Sequence, residues 1–210
     1  MKPIQILDHF KDSSVAKRLF DVINDREGSY CFMEVCGTHT VQIFKTGIRD
    51  GLRGSLRLIS GPGCPVCVTS AHDLDKAIAI AKSNNVIVCC FGDMIKVPGS
   101  YESLDLARGS NGAEVKIMYS PLEALELAIK NPRKKVVLFG VGFETTIPAF
   151  ASVLMRAKKQ KVSNIFIFPV FKLIPPALRV LLESPATNID GFILPGHVST
   201  IIGEDRYRFI

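Results

Sequence analysis

Short apolar runs of five to seven residues recur along the chain, each bounded by glycine, proline, serine or charged positions. In the first half and its border they are Tyr30–Val35, Leu56–Ser60, Val86–Phe91 and Glu114–Tyr119, rich in β-branched and aromatic residues and too short for helices. Between the second and third, Leu74, Ala77, Ile78 and Ala81 recur at the spacing of one helix face, which predicts a helix over Ala71–Lys82. Ser70-Ala71-His72-Asp73 resembles a capping box at its start. Strand, helix, strand at this spacing implies a parallel sheet with right-handed crossovers. The second half repeats the order: strand Lys135–Val141, helix Ile147–Lys158, strand Asn164–Phe168, helix Pro176–Glu183, strand Asp190–Leu194. Tyr30–Val35 aligns with Lys135–Val141, and Val86–Phe91 with Asp190–Leu194, at an offset of roughly 105 residues. The expectation is an α/β protein of two similar lobes, each a small parallel sheet flanked by helices, with a cleft at the strand C-terminal ends. Residues 1–112 form the first lobe and 113–210 the second, incomplete one, divided at the turn signal Gly109-Ser110-Asn111-Gly112.

Composition narrows the functional classes. At 47% hydrophobic, 210 residues can bury a core of ordinary density. Lys and Arg exceed Asp and Glu by 6 charges, but apart from Arg133-Lys134-Lys135 and Lys158-Lys159-Gln160-Lys161 they are scattered. That pattern reads as a solvated face, with a nucleic acid or acidic protein partner as the alternative. Asp8 interrupts the N-terminus before a signal peptide could form, and the apolar stretch Ile165–Leu182 is broken by Lys172, Pro175, Pro176 and Arg179. A cytoplasmic protein is expected, and six cysteines in a reducing compartment point to catalysis, redox chemistry or metal binding rather than a disulfide framework.

The chemically useful side chains directly follow expected strands, the edge at which open parallel sheets bind ligands. Cys36-Gly37-Thr38-His39 follows the first strand, Gly61-Pro62-Gly63-Cys64-Pro65-Val66-Cys67 the second and Gly92-Asp93 the third. Gly142-Phe143-Glu144-Thr145-Thr146 and Pro195-Gly196-His197-Val198-Ser199 hold the equivalent places in the other lobe, and if the lobes face each other these loops line one cleft. Cys64 and Cys67 form a Cys-x-x-Cys pair ahead of a helix, whose dipole stabilises a thiolate by about 0.3–1 kcal/mol. Such a pair either closes as a disulfide or offers two soft metal ligands, and alone it cannot complete a structural zinc site. Gly37 permits close backbone approach to Cys36, Thr38 is placed to cap the next helix, and His39 either tunes the Cys36 thiol or binds metal beside it. Cys31, Cys89 and Cys90 lie inside strands and read as small core hydrophobes. His9 and His72 read as surface or capping residues, while Asp93, Glu144 and His197 either serve a site or satisfy backbone groups. Gly140-Val141-Gly142-Phe143-Glu144-Thr145 has Thr where a dinucleotide loop needs its third Gly, and no phosphate loop occurs, so a nucleotide enzyme is not expected.

Taken together, Met33-Glu34-Val35-Cys36-Gly37-Thr38-His39-Thr40, Gly61-Pro62-Gly63-Cys64-Pro65-Val66-Cys67, Phe91-Gly92-Asp93, Gly142-Phe143-Glu144-Thr145-Thr146 and Pro195-Gly196-His197-Val198-Ser199 closely resemble the HypD family of hydrogenase maturation proteins. The resemblance runs from about Tyr30 to the end of the chain. It implies a metal-assembly scaffold with redox-active thiols rather than a conventional enzyme, on which the iron centre of nickel-iron hydrogenase acquires cyanide and carbon monoxide before delivery to the large subunit. The implied partners are a HypC-type small chaperone and a HypE-type cyanide donor. By the same resemblance Cys36 is an iron ligand shared with a chaperone cysteine, Cys64 and Cys67 are the redox pair, and His39, Glu144 and His197 line the cleft around the iron. Family members continue into a C-terminal segment whose cysteines hold a 4Fe-4S cluster, whereas no cysteine follows Cys90 before Ile210. A fragment or a shortened relative is therefore expected. The alternatives are a thiol-disulfide oxidoreductase using Cys64 and Cys67, and a protein-interaction fragment without metal.

Overall fold

The strand runs assemble into two wholly parallel sheets. The computed structural model describes residues 12–109 and 112–210; His9, the N-terminal stretch read for an export signal, and Ser110 and Asn111 of the expected dividing turn lie outside the described residues. One sheet has the order β2-β1-β7, from β1 (Tyr30–Glu34), β2 (Leu56–Ser60) and β7 (Gly191–Ile193). The other has the order β4-β3-β5-β6, from β3 (Val86–Phe91), β4 (Glu114–Met118), β5 (Lys135–Gly140) and β6 (Ile165–Pro169). The α/β class, with two parallel sheets flanked by helices, is the one expected.

The division of the chain is not the expected one. One compact unit combines residues up to Gly63 with Arg179–Gly196, and the other combines Cys64–Leu178 with His197–Ile210. β3, assigned from sequence to the lobe over 1–112, belongs to the sheet of β4, β5 and β6, with Val88 opposite both Val115 and Val137. β7, assigned to the lobe over 113–210, returns to β1 through Phe32 opposite Gly191 and Glu34 opposite Ile193. The cause is that apolar periodicity describes a strand's faces and says nothing of its neighbours; the offset of roughly 105 residues matched strands of like composition from different sheets.

In the first unit, α1 (Ser13–Asn24), α2 (Gly37–Lys45) and α3 (Ile48–Gly51) accompany the three-stranded sheet. Asp12 caps α1 by accepting from Ser14 N at 2.8 Å, and at the other end Asn24 donates to Gly51 O and accepts from Arg53 N, fastening α1 to the end of α3.

The second unit holds α4 (Ala71–Ala81), α5 (Leu104–Gly109), α6 (Pro121–Lys130) and α7 (Ile147–Lys159), takes α8 (Ile174–Glu183) as far as Leu178 and takes α9 (Gly196–Ile202) from His197 on. Its central strand β3 is apolar throughout because both faces are covered. Val86, Val88 and Cys90 pack on Leu74, Ala77, Ile78 and Ala81 of α4 and on Leu104 and Ala107 of α5. Ile87 and Cys89 pack on Ala124, Leu125 and Ala128 of α6 and on Phe150, Val153 and Ala157 of α7. Complete burial of a side chain such as Leu74 stabilises by about 1.5–3 kcal/mol. Ser70 Oγ accepts from Asp73 N at 3.1 Å to start α4 where expected, and Ser120 and Glu123 form a full capping box on α6, which the sequence analysis passed over.

Topology sets where ligands belong. From β3 the chain proceeds to β4 on one side, from β5 to β6 on the other, so the crevice rule for open parallel sheets points to the loops Gly92-Asp93 and Gly142-Phe143-Glu144. In the smaller sheet Cys36 leaves the central strand, with Val35 N donating to Ile193 O of β7 at 3.0 Å.

Candidate functional site

In the first unit, Cys36 ends the extended path of β1 and is itself the N-cap of α2, its carbonyl accepting from Thr40 N at 3.2 Å. Thr38 does not cap, contrary to expectation, because the helix already begins at Gly37 and places Thr38 in its first turn. The Cys36 side chain makes no capping hydrogen bond and is buried, at 8% exposure. His39, three positions along, falls on the same side of that turn and is half-buried. Its Nδ1 is buried with no hydrogen-bond partner among the described residues, an arrangement that costs about 1–3 kcal/mol until something meets it. A thiol that makes no capping bond and an imidazole nitrogen without a partner among the described residues thus share one strand end, a donor set suited to a first-row transition metal. Two donors do not make a complete site, and no cluster of three or more His, Cys, Asp or Glu among the described residues is arranged to hold a metal ion.

Two residues before Cys36 stands a carboxylate that sequence reasoning did not single out. The Glu34 side chain is fully buried; its Oε1 accepts from Arg49 Nη2 at 2.5 Å and from Ser60 Oγ at 3.3 Å, while Oε2 has no partner among the described residues. The available signal was one acidic residue inside an otherwise apolar strand. Gly61, which leads out of β2, is pressed against this strand: its N–H donates to Glu34 O at 2.9 Å, and a Cβ there would stand 2.7 Å from the same oxygen.

In the second unit, Cys64 and Cys67 occupy a tight turn entered through Gly63, whose φ of 91° is a conformation that side chains resist. Val68 N donates to Cys64 O at 3.1 Å and Thr69 Oγ1 to Pro65 O at 2.7 Å, which fixes the loop. The two sulfurs lie 3.0 Å apart, and Cys67 N–H points at Cys64 Sγ across 3.4 Å. Partial burial pushes the Cys64 thiol up, but the hydrogen bonds from the Cys67 thiol and from backbone N–H groups outweigh it and hold Cys64 below the ordinary thiol value. Cys67 is pushed the other way, first by its hydrogen bond to Cys64 and then by the charge on that neighbour. The next helix, α4, starts only at Ala71, behind Ser70, and the lowering of Cys64 comes first from the Cys67 thiol and then from the turn's own amides. Cys64 is half-buried and Cys67 exposed, so one thiol ionises more readily while the other meets solvent.

Glu144 and His197 also lie in this unit. Glu144 Oε1 accepts from Ile174 N at 2.7 Å, satisfying an orphan donor at the start of α8, and Oε2 is buried without a partner among the described residues. The exposed His197 ring lies 6.0 Å from the Phe143 ring, which brings the His197 loop to the Glu144 loop. Asp93 is exposed on the turn after β3. Cys31, Cys89 and Cys90 are core residues as expected; burial above all pushes the thiols of Cys89 and Cys90 up to about 12. His72 is exposed. No helix among the described residues is long and apolar enough to cross a membrane.

Residues 13–210 match the family model HypD, described as "Hydrogenase formation hypA family". The chain is 44% identical over 207 residues to "Hydrogenase maturation factor HypD" of Escherichia coli (strain K12), covering 99% of this chain and 54% of that protein. The protein of the same name from Azotobacter vinelandii is 43% identical, over 97% of this chain and 56% of its own length. That from Rhodobacter capsulatus is 42% identical, over 99% and 57%. The chain therefore spans about half the length of the curated relatives it matches.

Proposed function

The chain belongs to the HypD family of hydrogenase maturation proteins, and from that premise we propose that it serves as part of a cytoplasmic scaffold on which the iron centre of nickel-iron hydrogenase gains its cyanide and carbon monoxide ligands. Cys36 supplies one thiolate to the iron cargo, a cysteine of a HypC-type chaperone supplies another, and a HypE-type protein delivers cyanide before the centre moves to the hydrogenase large subunit. Cys64 and Cys67 act as a dithiol that releases two electrons and two protons to the iron cargo and its incoming ligands as the pair closes to a disulfide. His39, Glu144 and His197 take part in holding the cargo. What carries the reading is the 3.0 Å contact between Cys64 and Cys67, one thiol lowered and the other raised, in a loop that follows a parallel strand. The unpartnered Nδ1 of His39 beside Cys36 supports an incomplete metal site that a partner finishes. A 4Fe-4S cluster finds no fitting donor set among the described residues, since Cys31, Cys89 and Cys90 are packed inside strands, and no step is assigned to one.

Anaerobic loading with ferrous iron in the presence of a HypC-type chaperone, followed by metal analysis, tests the assignment. Iron retained by the wild type and lost by Cys36→Ala is expected; equal iron in both would remove Cys36 from the role. A second reading, a thiol-disulfide oxidoreductase, draws on the same asymmetric pair. It requires catalytic reduction of a disulfide substrate that survives Cys36→Ala and fails in Cys64→Ala.

A further inference from the structure

We propose that a cavity over the N-terminal ends of β1 and β2 binds a small acid, a phosphate or carboxylate, that also carries a hydroxyl or amino group. The cavity, of about 450 Å³, lies wholly within the first unit. Its volume falls inside the range of about 300–1,000 Å³ usual for small-molecule sites. Tyr30, which begins β1, lines it, whereas Cys36 follows the other end of that strand, so the cavity is separate from the thiol chemistry proposed above.

The charges on its wall are unequally committed. Arg49 is neutralised by Glu34. Asp190 is anchored, its Oδ2 accepting from Cys31 N at 2.8 Å. Arg57 forms no ion pair among the described residues, and its guanidinium donates to the neutral Cys31 Sγ at 3.5 Å. A guanidinium fork offers paired donors that match carboxylate and phosphate. Arg57 lines the cavity together with Leu52, Leu56 and Leu58. Asp190 shapes the remainder of the ligand: it repels a second negative group and favours a hydroxyl or ammonium donor. Ser29 and Asn188 supply neutral hydrogen-bonding groups on the same wall.

Calorimetric titration of the full chain with inorganic phosphate, acetate, glycerol 2-phosphate and neutral glycerol tests the proposal. An acid response that falls at least about tenfold in Arg57→Gln is expected, with Arg53→Gln, an exposed arginine outside the cavity, unchanged. Phosphate and acetate distinguish the two kinds of acid, and an Arg57-dependent response to either supports the site. Glycerol 2-phosphate should bind more tightly than inorganic phosphate, and Asp190→Asn should erase that preference. Equal affinity in Arg57→Gln and wild type, glycerol binding as well as the acids, or no response to any acid at about 10 mM overturns the site; a preference unaffected by Asp190→Asn overturns the hydroxyl or amino requirement. Arg57 is exposed on an edge strand, and circular dichroism verifies that its variant retains the fold.

Discussion

Replacing Arg49 with methionine should damage the first unit far more than the exposure of that residue suggests. The pair it forms with Glu34 is lopsided: the arginine side chain is 38% exposed, the glutamate side chain 0%. Take away the glutamate and the guanidinium turns to water. Take away the arginine and the carboxylate keeps only the Ser60 hydroxyl at 3.3 Å, with Oε2 already unpartnered among the described residues. Stranding a buried charge in this way costs about 3–5 kcal/mol, and the solvent that reaches Arg49 places this case at the lower end, about 3 kcal/mol. For a chain of this size that corresponds to a Tm lower by roughly 6–12 °C. Urea unfolding at neutral pH, followed by far-UV circular dichroism, measures the loss, and the double variant Glu34→Gln, Arg49→Met completes a cycle. With no charge left to strand, the double variant should regain most of the stability. An Arg49→Met protein within about 0.5 kcal/mol of wild type, or a double variant no better than the single one, refutes the reasoning.

The remaining expectations concern single groups. Because the thiolate is the reactive form, moving from about pH 8 to about pH 6.5 should slow iodoacetamide alkylation of Cys67 more than that of Cys64, as read by peptide mass spectrometry; the reverse order contradicts the assignment of the lowered thiol. Cys67→Ala, which removes the side-chain donor, should move the Cys64 titration upward, visible in thiolate absorbance. Cys89 and Cys90, pushed up to about 12, should ignore a disulfide thiol reagent until denaturant is added, and prompt reaction in the native protein would contradict their packing. Asn164→Ala removes the amide that donates to Ala128 O, Asn131 O and Lys134 O and should cost about 1–3 kcal/mol in urea unfolding, while a loss under about 0.5 kcal/mol contradicts the role.

Local signals in the sequence were readable where local physics decides the outcome. Leu56–Ser60 and Val86–Phe91 are strands over the expected residues, and Ser70 starts α4 as its spacing with Asp73 implied. Pairing was not readable. β7 joins β1 across more than half the chain, and nothing in Gly191–Ile193 names Phe32–Glu34 as its neighbour. The site shows the same boundary. Cys64 and Cys67 could be placed together because only two residues separate them on one turn, and their asymmetry was not legible because it depends on how the turn aims the Cys67 thiol and amides at the Cys64 sulfur. Glu34 escaped notice because Arg49 and Ser60, which give it meaning, reach it from a helix and from the next strand.

Parallel strands put all their C-terminal ends on one edge, and the loops that leave β1 and β2 carry different kinds of chemistry. At the end of β1 there is one buried thiol and one imidazole nitrogen unpartnered among the described residues, the two donors proposed above to hold the iron cargo. After β2 there are two thiols in mutual contact, already disposed to bond with each other. Holding and electron delivery should therefore separate genetically. Cys36→Ala should lose iron yet still titrate reversibly by two electrons at Cys64 and Cys67. Cys64→Ala should keep the iron and lose the two-electron step. If Cys64→Ala releases iron as completely as Cys36→Ala, the dithiol is itself a ligand and the division of labour is wrong. If Cys36→Ala abolishes reversible cycling with the fold intact by circular dichroism, the pair does not work as an independent redox unit.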